Sequence, residues 1–82
     1  MILSFFLFLV YKKWFEAACD NDILALKECL KDGVDIEALA CDKVPNFRYK
    51  MWKNSDNPAL ILSAGCGCQE ACEFLLQMVK LE

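Results

Sequence analysis

Histidine does not occur in the 82 residues. Its absence removes the side chain most used as a general base near neutral pH, and the commonest metal ligand with it. Also missing are a phosphate-cradling glycine loop, a nucleophile elbow and a metal-hydrolase motif. The acidic pairs Asp20 and Asp22, and Glu70 and Glu73, fall where helix caps and solvated helix faces use carboxylates. The expectation is a protein that is not an enzyme, with no catalytic residue and no cofactor. No apolar run is long enough to cross a bilayer, which takes about 20 residues. The longest, MILSFFLFLV from Met1 to Val10, has half that length. A secretory signal would carry its positive charge ahead of the apolar run and small residues at a cleavage site. Here Lys12 and Lys13 follow the run, and no Ala-x-Ala lies just beyond it.

Strong charge of either sign is lacking too. A net charge of −3 names no partner by itself, and 57% hydrophobic residues are too many for a disordered chain. One small domain is expected, and a core of this size supplies only about 3–5 kcal/mol. The six cysteines would suggest a disulfide framework in a secreted protein. Two of them argue for thiols in a reducing, cytoplasmic setting. Cys29 shares a helical pattern with Ile23, Leu26 and Leu30, and Cys72 shares one with Leu75, Leu76 and Val79, so each thiol stands in for a small apolar side chain. Cys66-Gly-Cys68-x-x-x-Cys72 has thiolates that suit zinc, but the spacing is not that of a zinc knuckle, and packing explains the three cysteines more simply. No metal ligand is assigned.

What is present is best seen between Trp14 and Ala38. Trp14, Ala17 and Ala18 share a helical face while Lys13, Glu16 and Asp20 reach water. Asp20-Asn21-Asp22 breaks this helix, because Asn tolerates the left-handed backbone and Asp caps the next helix. A second helix is predicted from Ile23 to Lys31, with Gly33 in a left-handed C-cap and Val34-Asp35-Ile36-Glu37 as an extended exit.

In this register the paired alanines 17 and 18, Asn21 in the usual glycine place, Asp22, Leu26, Leu30, Gly33, Asp35 and Ile36 resemble an ankyrin repeat. The opening Thr-Pro-Leu-His tetrad of that family is replaced by Lys12-Lys13-Trp14-Phe15, as a first, capping repeat tolerates. A second copy follows at an offset of 46, from Asn21 to Gly67: Ala18 meets Ala64, Ala25 meets Ala71, Leu26 meets Cys72, Cys29 meets Leu75 and Leu30 meets Leu76. Asn57 is the expected N-cap with Pro58 at the first helical position, Gly65-Cys66-Gly67 the turn, and Gln69 to about Lys80 the final helix. The family period is about 33 residues, so the excess belongs in the connection between Leu39 and Asn57.

That connection is the most individual part of the chain. Val44, Phe47, Tyr49 and Met51 interleave with Arg48 and Lys50 as in a half-buried strand of an extended finger. Asp42 to Asp56 carries net +2, from four bases and two acids, while the remainder carries net −5. Tyr, Trp and Arg are common interface anchors, so Arg48, Tyr49, Lys50 and Trp52 are the candidate protein-binding residues. The alternative is a loop folded back on the first repeat, burying Phe47 and Trp52. Interleaved bases and aromatics also suit single-stranded nucleic acid, but four bases in a net acidic chain are a weak footprint.

The resemblance implies an all-α fold, an ankyrin-type helix-turn-helix solenoid fragment of two helix pairs joined by an extended loop or hairpin finger. Its parts are an apolar segment (1–11), a first repeat (12–38), an inserted finger (39–56) and an incomplete second repeat (57–82). The function it implies is non-catalytic protein binding, with further repeats or an oligomer partner covering the second repeat. The apolar segment would cover the open end of the first repeat, serve as a membrane anchor or signal, or be an unstructured start. An anchored, membrane-associated ankyrin protein is the rival reading.

Overall fold

A computed structural model gives the backbone of residues 2–49, 52–53 and 56–81, and side chains of residues 5–48 and 56–80. Five helices dominate: α1 (Ile2–Asp20), α2 (Ile23–Lys31), α3 (Ala40–Lys43), α4 (Ala59–Gly65) and α5 (Gln69–Leu81). Two short antiparallel strands, β1 (Arg48–Tyr49) and β2 (Trp52–Lys53), lie between α3 and α4.

Helix α1 runs without a break from the apolar segment through Trp14. A continuous apolar run has no period of its own, so the sequence suggested a separate segment where the backbone simply carries on. The helix stops at Asn21, whose φ of 60° is left-handed. Asp22 then donates its N–H to the Ala17 carbonyl at 3.0 Å, while its side chain accepts from Ala25 N at 3.2 Å and caps α2. Helix α2 ends where Gly33 turns left-handed, φ 89°. Gly33 N bonds to Leu30 O at 3.1 Å and Val34 N to Cys29 O at 3.3 Å, the pair of bonds that closes a Schellman end.

The exit is tighter than the extended run expected. Ala38 N bonds to Asp35 O, and the Asp35 carboxylate accepts from Glu37 N, so Asp35 folds the chain into a turn. Tyr11 anchors that turn by accepting the Asp35 N–H on its hydroxyl at 2.8 Å.

The second helix pair repeats two backbone bonds of the first turn. Cys68 N donates to Ser63 O at 2.9 Å, as Asp22 N does to Ala17 O, and Gly67 takes φ 73° in the place of Asn21. Cys72 N bonds to Cys68 O as Leu26 N does to Asp22 O. Two details differ from expectation. Pro58, not Asn57, is the N-cap, because its carbonyl accepts the first helical bonds, from Ile61 and Leu62, while the Asn57 carbonyl is taken by Ala40 N. Gly65 is the last residue of α4 rather than part of the turn.

The pairs stack with α1 beside α4 and α2 beside α5. Trp14, Phe15, Leu26, Leu62 and Leu75 are fully buried between them, with Cys19, Cys29 and Ser63. Ser63 satisfies its hydroxyl on Leu60 O at 2.8 Å. Three contacts fasten the pairs together: Ala71 N donates to Asn21 Oδ1 at 2.8 Å, Asn21 Nδ2 donates to Glu70 Oε1 at 3.2 Å, and Cys68 Sγ donates to Cys19 O at 3.3 Å. On the outside, a Lys13–Glu28 ion pair at 2.8 Å ties α1 to α2 and holds that carboxyl below its ordinary range. Both side chains are solvated, so the pair adds little stability.

Candidate functional site

The inserted segment is closed at its neck by a bridge between Leu39 and Pro58, with Ala40 N bonded to Asn57 O at 3.2 Å. Between those ends the chain is not one strand. Helix α3 forms first, and Val44 N closes on Ala40 O at 2.8 Å. Asn46 then takes a left-handed φ of 63° after Pro45, and Phe47 N bonds back to Val44 O. The reversal lies ahead of the alternation of Phe47, Tyr49 and Met51, which therefore carries no sign of it, and Val44, three residues before Phe47, falls outside that period.

The root of the segment belongs to the core. Val44 and Phe47 are each 3% exposed. The Phe47 ring lies 5.8 Å from Phe15, tilted, and Phe15 stacks on Tyr11 at 6.2 Å. Lys43 Nζ sits 5.3 Å from the Tyr11 ring centroid, a cation–π contact. Folding back thus holds for Phe47, and the hairpin above it starts from a fixed base.

In the hairpin, Arg48 is opposite Lys53 and Tyr49 opposite Trp52, leaving only residues 50 and 51 between the strands. Arg48 is exposed. The backbone register therefore brings Arg48, Tyr49 and Trp52 into one two-stranded ribbon. Lys50, and the side chains of Tyr49 and Trp52, lie outside the described residues.

Chemistry at the cysteines is muted. All six are thiols. Burial pushes the Cys29 thiol up, and Cys29 Sγ donates to Val10 O at 3.6 Å. At Cys41, burial first and then Asp42 and Asp56 push the thiol up as well. Neither is poised as a thiolate nucleophile. Among the described residues no cluster of Cys, Asp or Glu is arranged to hold a metal ion.

Apolar surface stands open at several places among the described residues, the first of them in the segment that the sequence marked as a candidate anchor. Phe5, Phe6, Leu7 and Leu9 are exposed at the start of α1, although no helix among the described residues is long and apolar enough to cross a membrane. Another is a groove of about 300 Å³ between α4 and α5, lined by Ala64, Gly67, Cys68, Gln69, Cys72, Glu73 and Leu76. Cys72 and Leu76, expected in the core, are half-buried and 43% exposed. Helical periodicity marks an apolar stripe but does not say whether a neighbour covers it. No protein-family model, curated protein or solved structure matches the chain.

Proposed function

We propose that the chain is a non-catalytic protein-binding module, an ankyrin-type scaffold that works in the cytoplasm and presents the β1–β2 hairpin to an acidic or apolar segment of another protein. The observation that carries this reading is the anchored root of the hairpin. Phe47 and Val44 are packed into the core, so Arg48 leaves from a fixed base and its backbone needs little further ordering when a partner arrives. The local balance of net +2 within a chain of net −3 favours an acidic contact. The recurrence of the turn hydrogen bonds at an offset of 46 supports the ankyrin-type reading, as does the side-by-side stacking of α1 with α4 and α2 with α5.

The test is the triple variant Arg48→Ala, Tyr49→Ala, Trp52→Ala. Quantitative affinity capture should show proteins retained by the parent chain and lost from the variant, with helical circular dichroism unchanged. Collapse of the helical signal would make the hairpin part of the core, and an unchanged capture profile would remove it as a contact surface.

A second reading rests on Phe5, Phe6, Leu7 and Leu9, which are apolar on several sides of α1 and lie just ahead of Lys12 and Lys13. A helix end that is apolar all round, followed by bases, suits shallow insertion beside anionic headgroups. On this reading the chain co-sediments with phosphatidylserine vesicles, and Phe5→Glu with Leu9→Glu releases it. Equal recovery in the supernatant for both proteins would end the membrane reading.

A further inference from the structure

The two helix pairs differ at the cap of their second helix. Asp22 caps α2 with its own carboxylate, accepting from Ala25 N at 3.2 Å. Its counterpart ahead of α5 is Cys68, and the amide it would serve, Ala71 N, is bonded instead to Asn21 Oδ1 of the first pair at 2.8 Å. With that donor satisfied from elsewhere, the Cys68 thiol points across the seam and donates to the Cys19 carbonyl at 3.3 Å. Cys19 lies in the last turn of α1 with no exposure, and Cys68 is 8% exposed.

Two cysteines 49 residues apart are thereby brought together where the second pair seats on the first. From a sulfur that close to the other residue's carbonyl oxygen, bonded distances keep the two Cα atoms within about 8.5 Å. A disulfide spans about 4.4–6.8 Å between its Cα atoms, so rotamer changes and a shift of roughly 2 Å bridge them. Cys68 also lines the open α4–α5 groove, which gives a small oxidant a path to its sulfur.

We propose that Cys19 and Cys68 are a redox pair whose oxidation by a peroxide locks the second helix pair onto the first. The more accessible Cys68 reacts first: its sulfur attacks the peroxide, an S–O bond forms, the O–O bond breaks and water leaves, giving a sulfenic acid. The Cys19 sulfur then attacks the Cys68 sulfur, the S–S bond forms, the S–O bond breaks and a second water leaves. Two thiols are oxidised and hydrogen peroxide is reduced to two waters. Both residues are thiols in this structure, which is the unlocked state. A reversible disulfide of this kind suits a reducing compartment, where disulfides that do occur are usually transient. The site is distinct from the hairpin, and the proposal stands without it.

Cys66 and Cys72 are the competitors, both half-buried and much nearer to Cys68 in sequence. In an unfolded chain they are favoured, because short loops close at lower entropic cost. Pairing with Cys19 therefore reports the folded contact. The test treats the full chain with hydrogen peroxide at neutral pH, with and without urea, blocks the remaining thiols and maps non-reduced peptides by mass spectrometry. Without urea the expected product is a monomer with Cys19 joined to Cys68, reversed by dithiothreitol and melting roughly 10 °C or more above the reduced chain. In urea that link should fall about tenfold or more, replaced by pairings among Cys66, Cys68 and Cys72. Cys68→Ser, which keeps a residue favoured at helix caps, should lose both the link and the melting shift, and Cys66→Ser should keep both. The proposal is overturned if peroxide joins Cys68 to Cys66 or Cys72 in the folded chain, links chains to one another, forms the Cys19–Cys68 bond only in urea, or stops at an oxygenated Cys68 with Cys19 still a thiol. The peptide map of the parent chain decides by itself should Cys68→Ser fold poorly.

Discussion

Trp14→Ala leaves the chain largely unfolded at room temperature. Trp14 is fully buried on α1, the helix that packs against both α2 and α4. Truncating a buried Trp costs about 3–5 kcal/mol, as much as a domain of this size has in total. Trp14→Phe should be far milder. It keeps the ring in place and removes an indole Nε1–H that is buried with no acceptor among the described residues. Losing an unsatisfied donor offsets part of the lost volume. Far-ultraviolet circular dichroism with urea titration reads both. A cooperative transition in Trp14→Ala within about 1 kcal/mol of the parent would mean that the core is not where Trp14 places it.

The second large effect is at Phe47, which the sequence left open between a half-buried strand of an extended finger and a loop folded back on the first repeat. Phe47→Ala should destabilise the whole chain by about 3 kcal/mol or more, lowering the melting temperature by roughly 12–24 °C. The reason is that Phe47 closes a stack running through Phe15 to Tyr11, and Tyr11 in turn holds the Asp35 turn. The connection is thus a brace between the first pair and its exit. If Phe47→Ala melts like the parent while the hairpin triple variant collapses, the roles of root and ribbon are inverted.

How much of this was readable in advance depended on the kind of signal. Helix α2 follows from Ile23, Leu26, Cys29 and Leu30 with Asp22 before and Gly33 after, because cap chemistry and periodicity agree there. Asn21 was legible for the same reason, since few residues other than Gly and Asn take a left-handed φ comfortably. The hairpin was only half legible. Its aromatic and basic composition marked it, but the turn at Asn46 and the bridge from Leu39 to Pro58 depend on tertiary closure of the neck. Least legible was the groove. Leu26 and Cys72 occupy the same position in their pairs, yet one is buried and the other half-open, a difference made entirely by what packs alongside.

The account rests on the second helix pair being seated on the first, and the amide of Ala71 reports that directly. It lies in the first turn of α5, where a helix supplies no acceptor of its own, and its partner is Asn21 Oδ1 of the other pair. Hydrogen exchange followed by NMR should find Ala71 protected in the parent chain. In Asn21→Gly, which keeps the left-handed turn, that protection should fall about tenfold, the equivalent of one net hydrogen bond. Ala71 exchanging like a solvated amide in the parent chain, or equally protected in both proteins, would contradict the stacked arrangement.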